Sequence, residues 1–166
     1  MRHSMRAALA ALLCCATPVM AATVQVQDPV PFSEEAYIPR YIMSECQMGQ
    51  QLTRALAERA GEFGNTVQLQ AEPGGQGRVL KLEFIEANGK GNMFLGFGKS
   101  ATVRGELYED GRRLAGVTAR RSSGLVSSGG NKGSCEALER IVTVIGGDLA
   151  QWLADPVDNV RLGDTR

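Results

Sequence analysis

ATVRGELYEDGRRLAGVTARR, residues 101–121, holds two alternating runs on either side of Glu109-Asp110-Gly111. The side-chain period of two makes the length of that turn decisive. A two-residue loop at Asp110-Gly111 would set Val103, Gly105 and Leu107 on a face with Leu114, Gly116 and Thr118. A three-residue loop with Gly111 left-handed instead sets Ala101, Val103, Gly105 and Leu107 beside Arg113, Ala115, Val117 and Ala119. The second register buries more apolar surface, so the reading predicts an antiparallel hairpin paired in that way.

Upstream, Thr66 to Glu72 alternates through Val67, Leu69 and Ala71, and a second run carries Leu80, Leu82 and Phe84 on one face. Pro73-Gly74-Gly75-Gln76-Gly77 between them has turn composition, so these two runs are expected to form another hairpin. Thr23 to Gln27 is a short alternating strand, and Asp28 to Tyr41, with Pro29, Pro31 and Pro39, is expected to be extended and irregular. Met48, Leu52, Ala55, Leu56 and Ala60 recur at helical spacing, which predicts a helix over residues 45–60 with Gly61 at its C-terminal cap. Downstream, Leu138, Ile141, Val142, Ile145, Leu149, Trp152 and Leu153 form one apolar stripe on a final helix that Asp155-Pro156 stops. The order implies a two-layer α/β (α+β) domain over residues 22–154, a largely antiparallel five-stranded sheet with two helices on one face. Residues 155–166 are expected to be a C-terminal tail.

Residues 1–21 carry Arg2 and Arg6, no acidic residue, an apolar stretch from Ala7 through Ala16, and small residues at Val19 and Ala21. These are the parts of a secretory signal peptide, with cleavage expected after Ala21 or Ala22. The apolar stretch is shorter than the ~20 residues a spanning helix needs, so no membrane span is expected once the signal is removed. The whole chain balances 18 basic against 18 acidic residues, and loss of the two arginines leaves the mature protein near −2. A chain so balanced is not held to nucleic acid by gross charge. Two cysteines remain, Cys46 and Cys135, each next to an expected helix start, at Ser44-Glu45-Cys46-Gln47 and Ser134-Cys135. In an oxidising compartment such a pair reads as one disulfide, and closing a loop of about 90 residues is worth roughly 4.6 kcal/mol on the chain-entropy account. The functional alternative is a thiol/disulfide redox pair, although no CxxC spacing is present.

The single histidine, His3, leaves with the signal. The mature chain therefore lacks the Ser-His and Cys-His nucleophile pairs and every imidazole metal ligand. Glu34-Glu35, Glu83 with Glu86, and Glu109-Asp110 read as solvated surface rather than acid/base pairs. Gly98-Lys99-Ser100 imitates the end of a phosphate-binding loop, but the glycine required five residues before Gly98 is Met93, and a strand pattern follows instead of a helix. No nucleotide, metal or other cofactor is expected.

The run Leu95-Gly96-Phe97-Gly98-Lys99-Ser100, then Val103 through Gly111, a Gly-rich loop, Lys132-Gly133-Ser134-Cys135, and Asp148 through Leu153 resembles a group of small exported bacterial envelope proteins of unknown function. Related envelope lipoproteins share the Gly-Phe-Gly and Lys-Ser step, a strand hairpin and a C-terminal helix. The resemblance spans residues 45–154 and implies a periplasmic α/β domain with a Cys46–Cys135 disulfide and no transferable catalytic residue. This chain departs from the lipoproteins in placing Leu13, not a small residue, before Cys14.

The functional expectation is a periplasmic, non-catalytic protein that binds or supports another envelope component, with a redox factor or an unrecognised envelope enzyme as the alternative. Lys99, Arg104, Arg113, Arg120, Arg121 and Lys132 gather positive charge on the last hairpin and its Gly/Ser-rich loop, a candidate surface for an anionic component. Phe94 and Phe97, among glycines, are candidate apolar contacts.

Overall fold

The computed structural model describes residues 22–89, 98–123 and 133–164. The expected signal peptide, Phe94, Phe97 and Lys132 lie outside the described residues. The chain runs β1 (Ala22–Gln27), α1 (Arg40–Glu45), α2 (Met48–Ala60), β2 (Asn65–Gln70), β3 (Arg78–Asn88), β4 (Ser100–Glu109), β5 (Arg112–Ser122), α3 (Ser134–Trp152) and β6 (Val160–Gly163). The strands form a six-stranded sheet in the order β2-β1-β3-β4-β5-β6. Only β4 pairs antiparallel with its neighbours; β1 runs parallel to both β2 and β3, and β6 runs parallel to β5. The expectation of a largely antiparallel five-stranded sheet with two helices thus gives way to a mixed six-stranded sheet with three.

The expected hairpin between β2 and β3 does not form, because β1 lies between them. Val24 and Val26, both fully buried, make β1 a central strand that needs a neighbour on each edge. Pro73 to Gly77 therefore carries the chain across the outside of β1 rather than reversing it. The Gln25 side chain holds this crossing: its amide nitrogen donates to Gln76 O at 2.8 Å and its oxygen accepts from Gly74 N–H at 2.9 Å. The return is short because Arg78 already stands level with Val24, while Gln70 stands level with Gln27.

Between β4 and β5 the predicted pairing and the predicted turn separate. Asp110 and Gly111 both have positive φ, 49° and 79°, so the turn is a two-residue type I′ turn and not the expected three-residue one. The register nevertheless aligns Val103 with Ala119, Gly105 with Val117 and Leu107 with Ala115, because a bulge skips Leu114 before Arg113 meets Tyr108. Ala115, Val117 and Ala119 thereby reach the core, and Arg113 leaves that face.

Helix boundaries also shift. The helix expected over residues 45–60 forms as α2, starting three residues later at Met48, and a separate short helix, α1, begins in the stretch expected to be irregular, with Pro39 as its N-cap. Cys46 between them is extended, and Ser44, expected in a capping box, donates instead to Arg40 O within α1. Gly61 is right-handed; a short 3-10 turn, Gly61–Phe63, follows, and Gly64 at φ 75° ends the run. Residues 155–166, expected as a tail, contain β6. The α3 stripe, from Leu138 through Leu153, is buried as its spacing demands. Where α3 meets α2, Gly146 comes so close that a Cβ would lie 2.7 Å from Ala55 Cβ and 2.9 Å from Leu56 N.

Candidate interaction face

The inner side of the sheet is filled by valine, leucine, alanine and Phe84 against the helices. Alternation therefore sends the charged side chains to the other side, and the register pairs them across strands. Glu83 on β3 faces Arg104 on β4, whose Nε donates to Oε1 at 2.7 Å. Glu86 accepts from Arg120 Nη1 at 2.7 Å and from Thr102 Oγ1 at 3.1 Å. Tyr108 Oη donates to Glu106 Oε2 at 2.6 Å, Arg113 lies 3.4 Å from Glu106 Oε1, and Arg113 Nη2 reaches Asp158 at 3.0 Å. Lys81 Nζ stands 4.9 Å from the centroid of the Tyr108 ring.

These contacts hold the groups in their charged or bonded forms. The Tyr108 hydroxyl, then the Arg113 guanidinium, keep the Glu106 carboxyl below the usual carboxylate range, and that hydrogen bond raises the Tyr108 phenol. Arg113 and the Gly116 N–H hold Asp158 low. Arg104 is raised by Glu83, and Arg121 by Asp148.

Between this pavement and the Pro73–Gly75 crossing lies an open groove of about 700 Å³, lined by Gln27, Pro73, Lys81, Glu83, Arg104 and Tyr108 among others. Its charges, two basic and one acidic on those side chains with Glu106 beside them, cancel. Among the described residues no cluster of His, Cys, Asp or Glu is arranged to hold a metal ion.

The residues expected as one basic surface are divided by the fold. Arg104, Arg113 and Arg120 share the outer face, each on a carboxylate. Arg121 turns to the helical side and makes a bidentate contact with Asp148 on α3, at 2.8 Å for both bonds. Lys99 is joined to the end of β5 through its backbone, accepting from Ser123 N–H at 2.8 Å. The sequence pattern alone does not single out the acids that pair the arginines; Glu83 and Glu86, expected as solvated surface, take Arg104 and Arg120. Asp158 and Asp164 were hidden by the expectation of a tail.

Cys46 and Cys135 are joined by a disulfide, with Cα atoms 5.1 Å apart and a sequence separation of 89. The bond ties the extended link between α1 and α2 to the first turn of α3. Ser134, expected as a helix cap, lies within that turn and donates to Gly89 O at 3.0 Å.

No protein-family model matches the chain, and no curated protein matches it in sequence. Among solved structures, the fold is similar to protein XCC0632 from Xanthomonas campestris, of the DUF330 family, with TM-score 0.55 at 14% identity over 84% of this chain and 88% of that one. It is also similar to a PelC dodecamer from Paraburkholderia phytofirmans, with TM-score 0.51 at 15% identity over 83% of this chain and 90% of that one. Lipoprotein GNA1162 from Neisseria meningitidis aligns with TM-score 0.46 at 15% identity over 78% of this chain and 98% of that one. At 14–15% identity the likeness to the first two is one of fold alone, a mixed α+β architecture.

Proposed function

We propose that this chain is an exported, non-catalytic protein of the cell envelope that works by binding, with the outer-face groove as its contact surface. The carrying observation is the state of the polar groups around that groove. Glu83 is bonded by Arg104 at 2.7 Å and Glu106 by Tyr108 at 2.6 Å, contacts that favour the ionised carboxylate, whereas an acid/base pair needs values pushed toward neutrality. Export is supported by the signal-like residues 1–21 and by a disulfide that uses both cysteines of the described chain. Because the groove is balanced in charge, its ligand is expected to be recognised by shape and hydrogen bonding more than by net attraction.

The test is photo-crosslinking in cells, with the reactive side chain placed at Gln27 or Lys81 and, as control, at exposed Arg54 on α2. A discrete adduct from the groove positions alone, in periplasmic extract, is expected. Adducts of equal yield from Arg54, or none from either groove position, would refute the assignment of the groove. Intact mass of the same extract is expected to place the N-terminus at Ala22 or Thr23; a mass retaining residues 1–21, or a diacylglycerol on Cys14 or Cys15, would refute soluble export.

A further inference from the structure

The two outer strands of the sheet differ in how they meet solvent. β6 is short, four residues, and carries exposed Arg161. β2 reads Asn-Thr-Val-Gln-Leu-Gln, with no charge and no proline, and its pairing with β1 is continuous from Asn65 to Gln70 without a bulge. Leu69 on this strand is 38% exposed. Strand edges that must stay unpaired are guarded by charge, proline, bulges or brevity; β2 has none of these, and the charge on β6, Arg161, repels a second β6 but not the uncharged β2.

Strand alternation identifies the peptide groups that face away from the neighbouring strand. Asp28 N–H donates to Gln70 O, so the peptide groups of Gln70 face β1 and those of Val67 and Leu69 face outward. Asp164 N–H donates to Arg120 O, which by the same alternation leaves the groups of Arg161 and Gly163 facing outward from β6. Since only β4 runs against the rest, β2 and β6 point the same way at opposite ends of the sheet. A rotation about an axis along the strands therefore brings β6 of one copy beside β2 of the next in parallel, the pairing each strand already makes within the sheet. The faces agree as well. Val67 is level with Val24 and Val160 with Val117, so Leu69 and Leu162 both belong to the helical side, while Gln68 and Arg161 both lie exposed on the outer side.

We infer that β2 takes β6 of a second copy of this chain, so that the sheet continues head to tail from copy to copy with Leu69 opposite Leu162 and Gln68 opposite Arg161. Leu69 N–H donates to Arg161 O of the neighbour and Leu69 O accepts from its Gly163 N–H. Both halves of the contact are on this chain, which favours a second copy over an unrelated strand. The contact is heterologous, and it propagates until a ring closes or a filament grows. It is independent of the proposed groove and of export.

Two measurements on the purified mature chain test it. Sedimentation should show mass rising with concentration between about 10 μM and 1 mM, the range of transient contacts, and Leu69→Lys should remain monomeric with an unchanged circular dichroism spectrum. Under mild oxidation the double variant Gln68→Cys/Arg161→Cys should give a ladder of linked multimers, with about tenfold more linked dimer than either single variant, because the contact raises the effective thiol concentration. A native chain that stays monomeric to 1 mM would overturn the inference, as would efficient linking by Gln68→Cys alone, which would mean that β2 pairs with β2.

Discussion

Gly146 shows how much one missing methyl can decide. A Cβ there would meet Ala55 Cβ and the backbone of Leu56 inside van der Waals distance, so an alanine must push α2 and α3 apart. Gly147, its neighbour, has open space at the same test. Helix propensity alone favours alanine at both positions, by about 1 kcal/mol. Gly146→Ala is therefore expected to lose about 1–3 kcal/mol to overpacking, set against that gain, and to lower the denaturation midpoint. Gly147→Ala is expected to raise it by up to about 1 kcal/mol. Chemical denaturation of the two variants decides the matter, and equal midpoints would show that the helices do not meet through Gly146. The sequence carried the stripe of Ile145 and Leu149 in plain view. It carried no sign of Gly146, because a close helix crossing depends on which residue of α2 arrives opposite. Arg121 was likewise illegible as an inward residue: its period was correct, but its carboxylate, Asp148, belongs to another element.

The elements that periodicity cannot predict are those held by their neighbours. β6 has only four residues, and it is a strand because β5 offers an edge and because two aspartates clasp it. Asp158 accepts from Gly116 N–H at 2.7 Å and pairs with Arg113; Asp164 accepts from Ser122 N–H at 2.7 Å and from its hydroxyl at 2.6 Å. Arg113 lowers the Asp158 carboxyl and the Ser122 hydroxyl lowers that of Asp164. A carboxyl lowered on folding contributes stability that is whole above its unfolded value, about 4, and fades as the pH falls through its lower folded value. Hydrogen exchange at Gly116 and Ser122 is thus expected to show protection that is steady from neutrality to about pH 5 and weaker below about pH 4, once intrinsic exchange rates are divided out. Asp158→Ala/Asp164→Ala should lose protection already at neutral pH and no longer depend on acid. Protection unchanged by the double variant would mean that backbone pairing alone holds β6. The disulfide acts at the same scale, fixing the entry of α2 to that of α3. Replacing both cysteines by alanine is expected to cost about 2–5 kcal/mol, measured as a shift of the urea midpoint. In contrast to β6, this link was readable from the sequence, since Cys46 and Cys135 are the two cysteines left once residues 1–21 are read as a signal peptide, and two cysteines leave one pairing.

At the scale of the whole molecule, the hairpin β4–β5, the α3 stripe and the core residues followed from local pattern, whereas strand order did not. Turn composition at Pro73-Gly77 fits a reversal and a crossing equally well, and the choice is made by β1, whose position depends on contacts with residues 65–70 and 78–80. The outer face obeys the same logic. Glu83, Glu86 and Glu106 neutralise Arg104, Arg120 and Arg113 only when β3, β4 and β5 lie side by side, so a charge count along the chain saw a basic hairpin where the folded sheet has a balanced one. The test of this order is removal of β1. A chain that begins at Asp28 loses Val24 and Val26, both fully buried, and burying each valine is worth about 1.5–3 kcal/mol. It also loses the ladders to β2 and β3, at roughly 1 kcal/mol net for each hydrogen bond. Together these losses match the 5–15 kcal/mol that holds a domain of this size. The truncated chain is therefore expected to be unfolded at 25 °C even with its disulfide formed, seen as loss of near-ultraviolet circular dichroism and of amide dispersion. Removing residues 160–166 instead takes away an edge strand, and that chain should remain folded with a lower midpoint. If the chain starting at Asp28 folds with the midpoint of the intact one, β1 is not the centre of the sheet.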